Sequence, residues 1–151
     1  LIITALCAKG FLYHIAKGYL CVSPEISFEK FLEENGRYIE WWYKNGDEGK
    51  QHYAVSYTKK DGTSGLFYVD YVIKMRSGHT FLFDTKTEES DENAPQKHNA
   101  LLDYMQKDEN KSLGLKGGVI ICDHEVWKYC PFKIYNTIVS EGWVAFFPDR
   151  N

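Results

Sequence analysis

Phe67-Tyr68-Val69-Asp70-Tyr71-Val72-Ile73-Lys74-Met75-Arg76-Ser77-Gly78-His79-Thr80-Phe81-Leu82-Phe83-Asp84-Thr85-Lys86 is the stretch that decides how this chain folds. Two runs of aromatic and β-branched residues flank Arg76-Ser77-Gly78, which is a strand, turn and strand signal. A three-residue loop with Gly78 in the left-handed position pairs Met75 with His79, and therefore Asp70 with Asp84. A two-residue loop would instead pair Asp70 with Thr85. Side chains alternate along a strand, so in the first register Asp70, Asp84 and Lys86 share one face. Val69, Tyr71, Ile73, Phe81 and Phe83 make up the other, which is apolar enough to anchor the hairpin in a core.

Upstream, Ser23-Pro24 reads as an N-cap followed by proline at the first helical position, with Phe28, Phe31 and Leu32 on one face. This predicts a helix from Pro24 to about Asn35. Strand-like segments follow at Tyr38 to Lys44 and Gln51 to Thr58, then at Leu66 to Met75 and Thr80 to Lys86. The turn dipeptides Asn45-Gly46, Asp61-Gly62 and Ser77-Gly78 separate them, which predicts an antiparallel meander. Thr87 to Asn93 holds four acids in seven residues and reads as a mobile loop. Ala94 to Lys107 has helical spacing, with Asn93 as its cap. Gly117 to Cys122 reads as a buried strand after that helix. Trp127, Tyr135, Trp143, Phe146 and Phe147 imply further strand packed on the sheet. The order predicts an α+β fold with a mixed central sheet in three layers.

The chain has 151 residues, 44% apolar and 26% charged, which predicts one domain, 1–151, with a sizeable core. A first residue of Leu leads us to expect a piece of a longer chain. The net charge of −3 provides no whole-chain attraction for a polyanion, so a nucleic-acid contact needs a local basic patch. No apolar run is long enough to span a bilayer, and no basic leader precedes one, so the expectation is a cytoplasmic protein without membrane contact. The four cysteines form no disulfide framework. Cys122-Asp123-His124 with Cys130 lacks the paired spacing of a zinc knuckle, and buried cysteine ordinarily serves as a small hydrophobe.

An acid inside an apolar strand is expensive to bury unless it is paired or binds a cation. Alternation by itself could place three hydrated charges on a solvent-facing sheet. Here Tyr68, Val72 and Leu82 share the face with Asp70, Asp84 and Lys86, so the charges form an ionic cluster in mainly apolar surroundings. Carboxylates opposed at roughly 5 Å repel, and a hard dication with oxygen ligands relieves that repulsion, which points to Mg²⁺.

An acid on one strand, then acid-x-lysine on the next, after a helix that carries a glutamate, resembles the PD-(D/E)XK nuclease superfamily. Pro24-Glu25-x-x-Phe28, Phe31-Leu32-Glu33-Glu34-Asn35, Trp41-Trp42-Tyr43-Lys44-Asn45-Gly46, Phe67-Tyr68-Val69-Asp70 and Leu82-Phe83-Asp84-Thr85-Lys86 follow in that order. Over Ser23 to Ile121 this is similar to the C-terminal endonuclease region of the restriction subunit of bacterial type III restriction enzymes and related helicase-nuclease fusions. Val69 stands where the superfamily usually has proline.

The resemblance implies a restriction-endonuclease-like core that cleaves double-stranded DNA with Mg²⁺, or Mn²⁺ in its place. Asp70 and Asp84 would bind the metal with the Thr85 carbonyl. Lys86 would orient or deprotonate the attacking water. Glu25 would complete the shell, with Glu29 one turn later as the alternative; equally, Glu25 is an acid favoured in a first helical turn. Lys97, on a stripe with Leu101 and Tyr104, or its neighbour Gln96, would reach the scissile phosphate, unless Lys97 only covers apolar surface. ATP would be bound by helicase domains upstream, since Gly46 to Lys50 lacks the spacing and hydroxyl of a phosphate loop. A methyltransferase subunit of the restriction-modification system would supply sequence recognition.

Trp41, Trp42, Tyr43 and Lys44 could stack bases, and Lys59, Lys60, Lys74 and Arg76 could hold phosphates or simply keep a strand edge soluble. Two other classes of function fit part of the sequence. One is a catalytically inactive nucleic-acid-binding module. The other is a subunit-docking domain that exposes Phe146-Phe147-Pro148.

Overall fold

A computed structural model describes residues 4–7, 11–14, 23–45, 52–85, 92–133 and 142–146. Strands β1 (Thr4–Cys7) and β2 (Phe11–His14) pair with each other as an antiparallel ribbon. Helix α1 spans Pro24–Glu34, and the Ser23 side chain accepts from the Ile26 amide at 3.2 Å, so its start is the capped, proline-led turn that the sequence predicts. A 3-10 turn, Gly36–Tyr38, leads into β3 (Ile39–Lys44). Next come β4 (Ala54–Thr58), β5 (Ser64–Tyr68), β6 (Tyr71–Met75) and β7 (Thr80–Thr85). Helices α2 (Ala94–Gln106) and α3 (Asp108–Lys111) precede β8 (Leu115–Asp123), β9 (Val126–Tyr129) and β10 (Val144–Ala145).

Six strands form a mixed central sheet in the order β10-β9-β8-β7-β6-β3. Among the described strands only β7 and β8 run parallel, because α2 returns the chain to the same end of the sheet before β8 begins. The fold is therefore α+β. The expected meander is corrected: β3 pairs with β6, while β4 and β5 form a separate hairpin over the sheet. The single strand expected from Leu66 to Met75 breaks at Val69 and Asp70, and that break frees β5 to leave the plane.

α1 covers one face. Phe28 and Leu32 pack there with Tyr71, Ile73, Phe81 and Phe83, joined by Trp127 and Phe146. The Phe28 ring lies 5.1 Å from Tyr71 and 4.7 Å from Trp127. Burying each such ring stabilises the fold by roughly 1.5–3 kcal/mol. Phe146 is only 2% exposed, so this part of the tail belongs to the core and is not a docking surface; Tyr135, Phe147 and Pro148 lie outside the described residues. On the opposite face, α2 and the β4–β5 hairpin pack Val55, Phe67 and Leu101 against Leu82. Val69 belongs to this second cluster and not, as expected, with Tyr71, since the break before β6 turns it over. Gly118, at φ +137°, lets α2 approach β8, where an added Cβ would sit 2.9 Å from the His98 ring.

Candidate functional site

The β6–β7 hairpin has the expected register. Met75 donates its amide to His79 O at 2.9 Å, Gly78 takes φ +97°, and Tyr71 pairs with Phe83. The paired ladder ends at Tyr71 and Phe83; its continuation by one step would set Asp70 opposite Asp84, but Asp70 already lies in the break before β6. Asp70 lies just before β6 and is half-buried, whereas Asp84, inside β7, is 5% exposed. The Thr85 amide and hydroxyl both donate to Asp70 Oδ2, at 2.7 and 2.6 Å. Two short bonds to one oxygen fix the orientation of the carboxylate, and bonds to a charged acceptor are among the stronger ones. Thr85 is thus tied to Asp70 through its amide and hydroxyl, whereas the resemblance assigns it a role through its carbonyl. Lys86 lies outside the described residues, as does most of the predicted mobile loop.

Glu25 and Glu29 project from α1 toward Lys44 at the end of β3. Lys44 Nζ lies 3.1 Å from Glu25 Oε2 and 3.0 Å from Glu29 Oε1, and the buried Tyr71 hydroxyl donates to Glu29 Oε1 at 2.9 Å. Burial by itself would lower the Lys44 pKa, but hydrogen bonds and charge from Glu29 and Glu25 outweigh it and hold the ammonium above its ordinary range. Burial and the Glu29 bond likewise raise the Tyr71 phenol. The described side chains do not bring Glu25 into one cluster with the aspartates: no three His, Cys, Asp or Glu among them form a metal-holding group.

A buried asparagine that the sequence reading treated as a turn residue holds the break beside Asp70. Asn45, 2% exposed, donates from Nδ2 to Tyr53 O at 2.9 Å and to Val69 O at 2.8 Å. Its Oδ1 accepts from the His52 and Tyr53 amides at 3.0 and 2.9 Å, and its own amide donates to Asp70 O at 2.7 Å. These bonds use both N–H groups and both lone pairs of the carboxamide. The end of β3, the start of β4 and the Val69-Asp70 break are tied together through this one side chain. The available sequence signal was the interruption itself, whose backbone groups need partners.

Under Asp84, α2 supplies His98, 1% exposed. Its Nε2–H donates to Phe132 O at 2.6 Å and its Nδ1 accepts from the Val119 amide at 3.2 Å, which sets the neutral tautomer. Burial lowers the His98 pKa, against the opposing effects of the Phe132 bond and the Asp84 charge. The sheet-facing stripe of α2 is Ala94, His98, Leu101, Leu102 and Met105. Lys97 flanks that stripe, with its Nζ 5.8 Å from the Tyr57 ring centroid, and Gln96 lines a groove toward β4. Both are directed to the β4–β5 hairpin. The Asn93 side chain makes no capping bond to α2, although its carbonyl accepts from the Lys97 amide at 3.0 Å; its Oδ1 accepts from the Lys60 amide at 3.2 Å, joining the helix start to the hairpin tip.

Trp41 is 48% exposed on the edge strand, while Trp42 packs toward Tyr71, the alternation expected of adjacent strand residues. Lys74 Nζ donates to Gly78 O at 2.7 Å and so braces the turn. Cys122 is exposed and Cys130 buried. Among the described residues, no helix is long and apolar enough to cross a membrane. Comparison of the chain with protein-family models, with curated proteins and with solved structures gave no match.

Proposed function

We propose that this chain is a metal-dependent DNA endonuclease domain with a restriction-endonuclease-like core, the cleavage module of a type III restriction enzyme. What supports this reading is the β6–β7 register, whose next step beyond Tyr71 and Phe83 is Asp70 and the buried Asp84, together with the two bonds from Thr85 to the Asp70 carboxylate. Two carboxylates on neighbouring strands suit Mg²⁺, which takes hard oxygen donors and keeps several waters. Mn²⁺ would serve in its place. Asp70 and Asp84, with the Thr85 carbonyl, would hold the ion, which supplies a Lewis acid and a more acidic water. Lys86 would orient or deprotonate the attacking water and offset charge growing on the phosphate. Glu25, paired with Lys44, acts on the site from the helix only if that pair opens. Gln96 and Lys97 contact the DNA strand rather than the metal.

On this reading double-stranded DNA is the substrate. Helicase domains of the same full-length chain would use ATP, and a methyltransferase subunit would choose the site, in the cytoplasm. The test is nicking or linearisation of plasmid DNA in Mg²⁺ by the wild type and by Asp70→Asn, Asp84→Asn and Lys86→Ala. Each substitution is expected to lower cleavage at least a thousandfold, on the order of 4 kcal/mol in the barrier, with an unchanged circular dichroism spectrum. Cleavage by folded Asp84→Asn at the wild-type rate would overturn the assignment. The pairing of Glu25 with Lys44 favours one second reading, a nuclease-fold module that binds nucleic acid without metal. In that case binding would persist in EDTA and no variant would alter it through metal.

A further inference from the structure

The resemblance to acid-x-lysine sites uses only the backbone of Thr85, yet the side chain of this residue is turned onto Asp70. Its hydroxyl donates to Asp70 Oδ2 at 2.6 Å, and its amide donates to the same oxygen at 2.7 Å. Thr85 closes β7 next to Asp84 and is 9% exposed, so both donors hold fixed places against the carboxylate. An ionised carboxylate has about four lone-pair sites, two on each oxygen. The two donors therefore take up both sites on Oδ2. A hydroxyl buried this far from water is costly to leave without an acceptor, which keeps the bond closed.

How an aspartate meets a dication depends on which of its oxygens can be used. Ca²⁺ has a large, flexible oxygen shell and takes carboxylates through one oxygen or through both. Mg²⁺ demands a near-octahedral shell and keeps several waters, and Mn²⁺ suits the same octahedral oxygen sites. An acid restricted to one oxygen fits the smaller ions and withholds from Ca²⁺ the two-oxygen grip. The backbone at Asp70 is held separately, since its carbonyl accepts from the Asn45 amide at 2.7 Å. Thr85 thus acts on the Asp70 side chain, and of its two donors only the hydroxyl depends on the identity of the residue.

Building on the metal-site reading above, we propose that the Thr85 side chain determines metal specificity: by saturating Asp70 Oδ2 it confines Asp70 to coordination through Oδ1 and selects Mg²⁺ and Mn²⁺ against Ca²⁺. Taking the hydroxyl away returns one lone-pair site on Oδ2 and with it two-oxygen coordination. Thr85→Ala does this while keeping the amide bond, and Thr85→Ser retains both donors. The experiment is calorimetric titration of Mn²⁺ and, separately, of Ca²⁺ into the full chain as wild type, Thr85→Ala and Thr85→Ser. Circular dichroism establishes that each variant is folded, and neither DNA nor turnover is needed.

Hydrogen bonds to metal-ligating carboxylates typically change affinity by about 10–100-fold when removed. The wild type is expected to bind Mn²⁺ at least about tenfold more tightly than Ca²⁺, and Thr85→Ala to lower that ratio about tenfold. Thr85→Ser should keep the wild-type ratio. A merely structural role for Thr85 would weaken both ions together in Thr85→Ala and leave the ratio where it was, which would overturn the proposal. Loss of the preference in Thr85→Ser as well as in Thr85→Ala would overturn it too. Failure of the metal-site reading looks different: a wild type that binds neither ion overturns both, whereas one that binds Mn²⁺ and Ca²⁺ equally keeps the site and removes only the selectivity assigned to Thr85.

Discussion

Asn45 shows how much one side chain fixes. Removing its carboxamide by Asn45→Ala strands the Tyr53 and Val69 carbonyls and two amides, and we predict a loss of about 3 kcal/mol in urea denaturation. The Asn-Gly dipeptide concealed this role, because it is also the commonest signal for a tight turn and the partners lie 8 and 24 residues away. Asp70 and Asp84 were legible for the opposite reason: an acid between apolar strand residues stands out wherever it is read. His98 gives a pH test. The unfolded histidine takes up a proton near its ordinary pKa of about 6.5, whereas burial lowers the folded one, so the unfolded state binds more protons as the pH falls. Stability is complete above about pH 6.5 and is lost on acidification through the gap between the two values. The wild-type melting temperature should fall between pH 7.5 and 5.5, and His98→Gln, less stable throughout, should fall less steeply across that window.

At the level of elements, the β6–β7 hairpin sets which side chains meet. Its loop depends on Gly78 at φ +97°, a conformation that costs an L-residue roughly 1–2 kcal/mol. Gly78→Ala should therefore lose about that much in urea denaturation, while Ser77→Ala, exposed in the same turn, should stay within about 0.5 kcal/mol. The hairpin was readable because its signals are local: alternation on both sides and a glycine in the required place. α1 was readable too, from Ser23, Pro24 and the Phe28-Leu32 spacing. The pairing of β3 with β6 was not, since it joins segments about thirty residues apart and skips an intervening hairpin. Only the break at Val69-Asp70 hinted at that detour, and its extended φ-compatible residues look like continuous strand.

Across the whole molecule, the two faces of the six-stranded sheet do different work. The α1 face is an aromatic core in which Phe28, Phe83 and Phe146 meet, which binds the C-terminal strand to the hairpin. The α2 face carries His98 and, with β4, the polar groove, and it is there that Asp84 exerts its charge. The apolar total and the strand-rich pattern made an α+β sheet fold legible, while the strand order and the burial of the tail depended on contacts between distant segments. On our reading this scaffold exists to hold Asp70 against Asp84. Calorimetric titration of Mn²⁺ into the wild type, Asp70→Asn and Asp84→Asn tests that most directly. We predict saturable binding by the wild type that either substitution abolishes while the fold is kept; the same binding isotherm in all three proteins would contradict the paired-aspartate metal site.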